Sequence, residues 1–250
     1  MKVAISQPTY LPWIGYFDLI DQVDLFVLLD NVQFEKRSWQ QRNRIKTPAG
    51  LQWLTIPVAS RGKREQRIVD VEVSEPEFWR DHLCTIDLNY RRAPFFKIYF
   101  DSLSQCVERE VAQSNLSRLT IGIIGWLKDS LGINTRMIRS SDLPVQGKRT
   151  ELLANICASL GASEYLCPLG SADYLLGDLP LMTSQGIEVR FHHYEHPEYR
   201  QLYPQFLPYA CALDLLFNEG ENALNIIRRG RRASFSPEEA AFHSGETVAS

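Results

Sequence analysis

The sequence predicts an α/β fold with an N-terminal βαβ unit, a mostly parallel sheet, a β-hairpin insertion and a helical middle segment. Two short apolar runs, residues 2–6 and 24–29, flank an amphipathic stretch, which is typical of a parallel βαβ start. The turn signal Pro48-Ala49-Gly50 separates two strand-like runs. Residues 76–131 keep a helical periodicity. Together these patterns define the fold class.

The first loop and helix follow from two prolines. Pro8 and Pro12 end the first strand, because proline donates no backbone hydrogen bond. A helix over about residues 13–21 then leads to the second strand, which ends at Asp30. On this helix we expect an inward face of Ile14, Phe17 and Ile20 and an outward position for Asp18 and Asp21.

The hairpin is expected over about residues 38–58, and valines that alternate with acids predict a further strand at 67–73. Three helices should fill the segment 76–131, the first opening with Pro76 and the last ending before Gly132. The remaining elements are expected as strand 135–139, helix 147–161, strand 164–167, turn 170–174, strand 187–194, and helices 210–217 and 221–229. Residues 1–233 should form a single domain, and the polar residues 234–250 a disordered tail.

Composition is that of an ordinary globular protein, with 44% hydrophobic and 23% charged residues and a net charge of −3. No apolar run approaches the ~18–20 residues of a membrane span, and the N-terminus lacks the apolar core of a signal peptide. A cytoplasmic location is therefore expected. The five cysteines are widely spaced and form no CxxC pair, so we expect neither a disulfide framework nor a metal site.

The strongest functional signal is a basic segment, residues 33–67. It holds nine Lys or Arg against two acids, a net charge of +7 in a chain whose total is −3. Like charges repel, so this concentration favours an anionic ligand such as a phosphate; the alternative is a solvated basic hairpin. On an extended strand Gln40, Arg42, Arg44 and Lys46 share one face and would clamp phosphates together. The candidate anion-binding residues here are Lys36, Arg37, Arg42, Asn43, Arg44 and Lys46.

The loop after the first strand is the second candidate. In open α/β sheets, ligands bind where a strand ends and a helix begins. Gln7 and Tyr10 offer hydrogen bonds there, and Trp13 offers a stacking face. The alternative is a rigid structural loop whose aromatic residues pack inward.

Three residues are candidates for proton transfer. Asp30 lies at a strand end, His196 belongs to a histidine cluster, and Asp214 lies in the first half of a predicted helix. The structural alternatives are a turn residue or salt bridge for Asp30 and a helix N-terminal charge for Asp214. Ser171 and Asp173 are expected to cap a helix or bind a ligand. The spacing of the histidine cluster matches no metal motif.

Several long blocks resemble the WbqC-like family of bacterial proteins, often encoded among genes for O-antigen and other surface polysaccharides. The blocks are Ile5–Phe17, Asp30–Lys46, Trp53–Val58, Gly170–Leu175, His196–Leu202 and Ala212–Gly220. They are collinear, and the resemblance covers residues 2–230. The resemblance implies glycine or acyl transfer onto an amino sugar. Tyr199 and Gln201, within one block, are further candidates for ligand binding.

The leading functional hypothesis is a transferase that forms an amide on an amino sugar or similar amine in polysaccharide or secondary-metabolite biosynthesis. Its donor would be a phosphate-bearing molecule, either an acyl thioester or an aminoacyl-tRNA, held by the basic segment. Such a reaction needs little more than positioning and one base. Two alternatives stay open: a non-catalytic module for a phosphorylated glycan or nucleotide, and an RNA-binding protein. The sequence indicates no cofactor and no oligomeric state.

Overall fold

The computed structural model describes residues 1–63 and 65–247. Arg64, part of the basic segment, and residues 248–250 lie outside the described part. The strands are Lys2–Ser6 (β1), Leu25–Leu28 (β2), Arg42–Thr47 (β3), Gly50–Thr55 (β4), Arg136–Arg139 (β5), Glu164–Pro168 (β6) and Glu188–His192 (β7). The helices are Ile14–Asp21 (α1), Phe78–Tyr90 (α2), Phe96–Val111 (α3), Leu116–Ser130 (α4), Thr150–Ser159 (α5), Ala172–Leu175 (α6), Leu179–Thr183 (α7), Ala212–Glu219 (α8), Ala223–Arg229 (α9) and Pro237–Thr247 (α10).

The α/β prediction is confirmed by a five-stranded sheet in the order β5-β2-β1-β6-β7, in which every pair is parallel. The chain passes from β1 through α1 to β2, and later returns to place β6 on the other side of β1. The direction of the connections therefore reverses between β1 and β6. In open parallel sheets such a reversal opens a crevice at the carboxyl ends of the two strands.

Both faces of the sheet are covered, which is why its strands read as continuous apolar runs. Ala4, Phe26 and Leu28 belong to the larger core, together with α1, α8 and the helices α2–α4. Val3, Leu25 and Val27 point the other way, into a second core with α5. The alternation along each strand thus divides the interior into two layers of side chains.

The hairpin and the helical middle segment are both present where the sequence predicts them. Strands β3 and β4 pair antiparallel from Arg42↔Thr55 to Thr47↔Gly50. Gly50 has a φ of 114°, a conformation that favours glycine at the end of this tight turn. Helices α2, α3 and α4 follow, and the Asn115 side chain caps α4 by accepting a hydrogen bond from the Arg118 amide.

Residues 67–73 do not form the predicted strand. They turn through a short 3-10 helix, Ile68–Asp70, and Arg67, which precedes it, forms an ion pair with Asp70 at 2.7 Å. Ile68 and Val71, three residues apart, are both buried, and so is Val73, so the first part of the segment has the spacing of a 3-10 turn and only its end alternates. The short-range ion pair and this spacing favour the tighter helix.

Within the tail, residues 237–247 form α10 rather than a disordered segment, whereas the prediction for residues 248–250 lies outside the described part of the chain. Ser236 and Glu239 form a capping box: the Ser236 amide donates to the Glu239 carboxylate at 2.7 Å, and the Glu239 amide donates to Ser236 Oγ at 3.2 Å. Phe235 pairs with Phe191 at the edge of β7. The expectation of disorder overlooked the Ser-Pro-Glu-Glu helix start.

None of the helices described over residues 1–63 and 65–247 combines the length and the hydropathy that crossing a bilayer requires.

Candidate functional site

A cavity of about 360 Å³ lies at the carboxyl edge of the sheet. It is lined by Ser6 at the end of β1, Pro168 at the end of β6 and His192 at the end of β7. This is the position where the connections of the sheet reverse, so the fold itself creates the crevice. Its volume lies in the range of small-molecule sites.

Four aromatic side chains contribute to the walls of this cavity, which we call the aromatic cavity. Trp13, Tyr16, Trp39 and Tyr209 line it. The Trp13 ring packs directly over Gly15, where a β-carbon would lie 2.2 Å from the ring. Only glycine leaves room for the indole at this position, so the Trp13-Ile14-Gly15 sequence fixes one wall.

The loop 7–13 is held rigidly at the rim. The Tyr10 amide donates to the Trp39 carbonyl at 2.9 Å, and the Ala212 amide donates to the Pro12 carbonyl at 2.8 Å. The Tyr10 hydroxyl shares a hydrogen bond of 2.9 Å with His82 Nδ1, and burial raises the pKa of Tyr10. Tyr10 is therefore an anchor of the loop, whereas Trp13 lines the cavity.

His192 and Asp18 form a hydrogen-bonded pair at the wall of the aromatic cavity. His192 Nε2 lies 2.7 Å from Asp18 Oδ2, and Arg231 Nε donates to Asp18 Oδ1 at 2.9 Å. A carboxylate only accepts, so Nε2 carries a proton in this hydrogen bond, and Nδ1 is the ring nitrogen left for a ligand. Within the described residues no partner takes up Nδ1. The pair thus presents an imidazole, oriented by a buried carboxylate, to the cavity.

Sequence reasoning missed this pair because it placed Asp18 on the outward face of α1. Asp18 is fully buried. Ile14 and Asp18 are four residues apart and share one face of a helix, so the helical period could have revealed the error. The pairing of Asp18 with His192 itself leaves no local signal, because the two residues are 174 positions apart.

The basic strand contributes one cation directly to the cavity. Arg44 lines it beside Asn43, whose Nδ2 donates to the Leu11 carbonyl at 2.8 Å. The Arg44 Nε is buried and has no hydrogen-bond partner among the described residues. The Arg42 guanidinium lies 4.2 Å above the Trp53 ring instead. Asn43 and Arg44 are therefore the members of the predicted anion site that reach this cavity.

Lys46 does not join the arginines in a phosphate clamp, contrary to the prediction. Its ammonium group is buried and donates to Gln201 Oε1 at 2.6 Å and to the Tyr203 carbonyl at 2.9 Å, and it also contacts the Gln205 carbonyl. Burial lowers the pKa of Lys46. Strand β3 ends beneath the loop that precedes α8, so its last cation, Lys46, forms hydrogen bonds inside the protein.

Asp214 belongs to the same buried cluster. Its carboxylate accepts hydrogen bonds from the Tyr199 hydroxyl and from Gln201 Nε2, both at 2.8 Å. Burial raises the pKa of Asp214, although these donors and Lys46 oppose the shift. Gln201 thus links Lys46 to Asp214. The three side chains and Tyr199 hold the loop that carries Tyr209 into the cavity wall.

Asp30 is enclosed by hydroxyl groups. Its oxygens accept from Ser117 Oγ at 3.1 Å, from Ser140 Oγ at 3.2 Å, and from the Ser141 amide and hydroxyl at 3.0 and 2.9 Å. Asp30 is buried and does not line the aromatic cavity. This arrangement ties β2 to α4 and to the turn after β5, which fits a structural role for Asp30.

His196 stands behind the aromatic wall. Its ring stacks against Trp13 at 6.1 Å, and its Nδ1 lies 3.0 Å from the Pro197 carbonyl. Burial lowers the pKa of His196. His196 supports Trp13 and Tyr209 from behind, whereas His192 lines the cavity.

A second, more polar cavity of about 950 Å³ lies beside the first. Gln7 lines it, next to Ser6 of the aromatic cavity, and so do Asn31, Lys148 and Arg149. Lys148 and Arg149 immediately precede α5, and the amino end of a helix favours negative charge. Sequence reasoning did not single out these two cations, although a glycine and two basic residues before a helix are a visible signal.

The remaining predicted residues lie away from these walls. Lys36, Arg37 and Asp173 are exposed, and Ser171 is half-buried in the turn before α6. No group of three or more His, Cys, Asp or Glu side chains that could hold a metal ion occurs in residues 1–63 and 65–247. The lining of the aromatic cavity itself offers an oriented imidazole, a guanidinium and aromatic faces.

Comparison with known proteins gives the chain a family context. Residues 7–226 match the model of the WbqC-like protein family. The chain is 37% identical over 232 residues to an uncharacterized protein, Rv1507c, of Mycobacterium tuberculosis strain H37Rv, in an alignment that covers 92% of this chain and 99% of the relative. No solved structure matches the chain.

Proposed function

The chain belongs to the WbqC-like protein family, and we propose that it is an acyl- or aminoacyltransferase that forms an amide on an amine acceptor. The acceptor is an amino sugar or a similar amine, and the donor is an activated, phosphate-bearing molecule. One observation supports this proposal above the others. His192, oriented by Asp18 at 2.7 Å, lines an aromatic cavity at the carboxyl edge of a parallel sheet.

His192 is the general base in this reaction. The acceptor amine attacks the carbonyl carbon of the donor, so that a C–N bond forms, and Nδ1 of His192 takes the proton that the nitrogen loses. The bond from the carbonyl carbon to the thiolate or alkoxide leaving group then breaks, and the same proton passes to that group. Asp18 stabilises the imidazolium in between, and Arg231 balances the charge of Asp18.

Arg44 supports the other half of the reaction. Negative charge develops on the carbonyl oxygen during attack, and a guanidinium N–H in a dry cavity stabilises such charge strongly. The buried Arg44 Nε, without a partner among the described residues, is a donor that this oxygen would satisfy. The aromatic walls suit the apolar face of a sugar ring, and Lys148 and Arg149 in the second cavity suit phosphates.

The test is amide formation followed by mass spectrometry. The protein is incubated with acetyl-CoA or a glycyl-tRNA as donor and with nucleotide-linked amino sugars as acceptors. His192→Gln should lower kcat by about 100-fold or more, the range for a lost general base, and leave KM within a few-fold. His193→Gln is the matched control, because His193 stacks on Phe235 at 4.1 Å rather than lining the cavity; it should keep the wild-type rate.

The outcomes separate the functional classes. Unchanged turnover in His192→Gln would overturn the assignment of the base. Saturable binding of a donor or an acceptor without any product would instead favour the non-catalytic binding module. Whether the protein acts in glycan biosynthesis depends on which acceptor it uses in this assay.

A further inference from the structure

Two tryptophans lie half-exposed on the rim of the aromatic cavity. Trp39 is 48% and Trp53 42% exposed, and their ring centroids are 5.3 Å apart at an angle of 36°. Leaving two large aromatic rings in water forgoes much of the stabilisation that their burial would provide. Exposed aromatic clusters of this kind are characteristic of binding surfaces.

Two arginines accompany these rings. Arg42 lies 4.2 Å above Trp53, and Arg44 lies 5.4 Å from Trp53 and 5.5 Å from Trp39. Within residues 1–63 and 65–247, neither arginine forms an ion pair with a carboxylate. A guanidinium that stacks on a ring through its face keeps its N–H edge free for a phosphate.

The placement of these groups joins them to the cavity. Arg44 and Trp53 are direct cross-strand partners in the hairpin, so they project from the same face. Trp39 and Arg44 also line the aromatic cavity. The Trp39 carbonyl accepts the Tyr10 amide at 2.9 Å, which ties the tryptophan to the rigid loop 7–13. A ligand whose reactive group occupies the cavity would therefore extend over these rings.

We infer that Trp39, Trp53, Arg42 and Arg44 form a platform that binds a nucleobase and its adjacent phosphate. The base stacks on the exposed face of Trp39, and Arg44 and Arg42 hold the phosphate. A neutral sugar would also stack on tryptophan, but it would leave both guanidinium groups without a counter-charge. The inference deepens the proposed function, on which it rests for the role of the ligand: the platform holds the nucleotide part of the donor.

A nucleobase with an adjacent phosphate occurs both in a free nucleotide and at the single-stranded end of an RNA. The probes are adenosine monophosphate, adenosine, ribose 5-phosphate and a five-nucleotide single-stranded RNA, titrated by calorimetry at low salt and again at 0.3 M KCl. The platform predicts that adenosine monophosphate binds more tightly than either of its two parts. If the RNA binds at least tenfold more tightly than adenosine monophosphate, the ligand of the platform is the end of an RNA. If the two bind with equal affinity, the ligand is a free nucleotide.

Variants assign the binding to the platform. Trp39→Ala should weaken binding by about tenfold or more, as expected for one lost stack, and Trp39→Phe should restore most of it. Arg44→Gln should weaken the binding of adenosine monophosphate about tenfold, leave the affinity for adenosine nearly unchanged and reduce the salt dependence of binding. The matched controls are Phe242→Ala, an aromatic residue that is 68% exposed elsewhere, and Arg80→Gln, which removes the cation from a separate Arg–Trp pair.

Two results would overturn the inference. One is the absence of binding by every probe, and the other is equal affinity in Trp39→Ala and wild type. The catalytic proposal fails separately: nucleotide binding that depends on Trp39, without amide formation, leaves the platform in place and removes the transferase. Amide formation that depends on His192 but not on Trp39 keeps the transferase proposal and removes the platform.

Discussion

His82 makes the stability of the fold depend on pH through the anchor of the loop 7–13. Its Nδ1 lies 2.9 Å from the Tyr10 hydroxyl, and burial lowers the pKa of His82 from 6.5 to about 4. The folded state therefore resists protonation at a pH where the unfolded chain accepts the proton. Stability is fully present above the unfolded pKa, and it decreases as the pH falls from about 6.5 toward 4.

The size of this effect follows from the two pKa values. At pH 7 both states hold His82 mostly neutral. At pH 5 the unfolded state is almost fully protonated and the folded state is not, so His82 alone removes about 2 kcal/mol from the free energy of unfolding. Below pH 4 the loss levels off at about 3 kcal/mol. These losses are large relative to a typical stability of about 5–15 kcal/mol.

Urea unfolding at pH 7 and pH 5 measures the effect, with His82→Gln as the reference. Glutamine does not titrate, and its side-chain oxygen accepts the Tyr10 hydroxyl as the imidazole nitrogen does. Wild type should lose about 2 kcal/mol more than the variant between the two pH values, because the carboxylates titrate equally in both proteins. Equal losses in the two proteins, or an NMR titration of the His82 ring near its ordinary pKa, would refute the reasoning.

Three further predictions follow from packing and burial. Gly15→Ala should lower the free energy of unfolding in urea by about 1–3 kcal/mol and shift the Trp13 fluorescence, because the new methyl group overlaps the indole. The control is Gly125→Ala, in which the nearest atom to the new methyl group is 3.9 Å away; this variant should be neutral or stabilised by up to about 1 kcal/mol. A similar loss of stability in both variants would contradict the steric argument. Lys46→Met should cost about 3–5 kcal/mol, because Gln201 and two backbone carbonyls lose their shared donor; a cost near zero by the same assay would show that the ammonium is not needed. Only Cys84 of the five cysteines is exposed, so Ellman's reagent should titrate one thiol in the folded protein and five in denaturant, and a second fast thiol in the folded state would contradict the burial.

Much of the fold was predictable because its signals are local. The apolar runs of β1 and β2, the turn at Pro48-Ala49-Gly50 and the helical period of residues 76–131 each depend on neighbours within a few positions. The segment 67–73 was misjudged because its valines alternate over too few residues to separate a strand from a 3-10 turn. The start of α10 was overlooked even though Ser236-Pro237-Glu238-Glu239 is a local capping signal.

The candidate site divides in the same way. The sequence by itself determined that the loop 7–13 follows a buried strand and that cations alternate along residues 42–46. The loop and this cationic strand both lie at the edge of the aromatic cavity or beside it. Only the tertiary structure decided that Lys46 turns into the interior, that serine hydroxyls enclose Asp30, and that His192 meets Asp18. Periodicity fixes which face of an element a residue occupies, but the crossing of distant chain segments fixes what that face meets, and the pairing of His192 with Asp18 spans 174 positions.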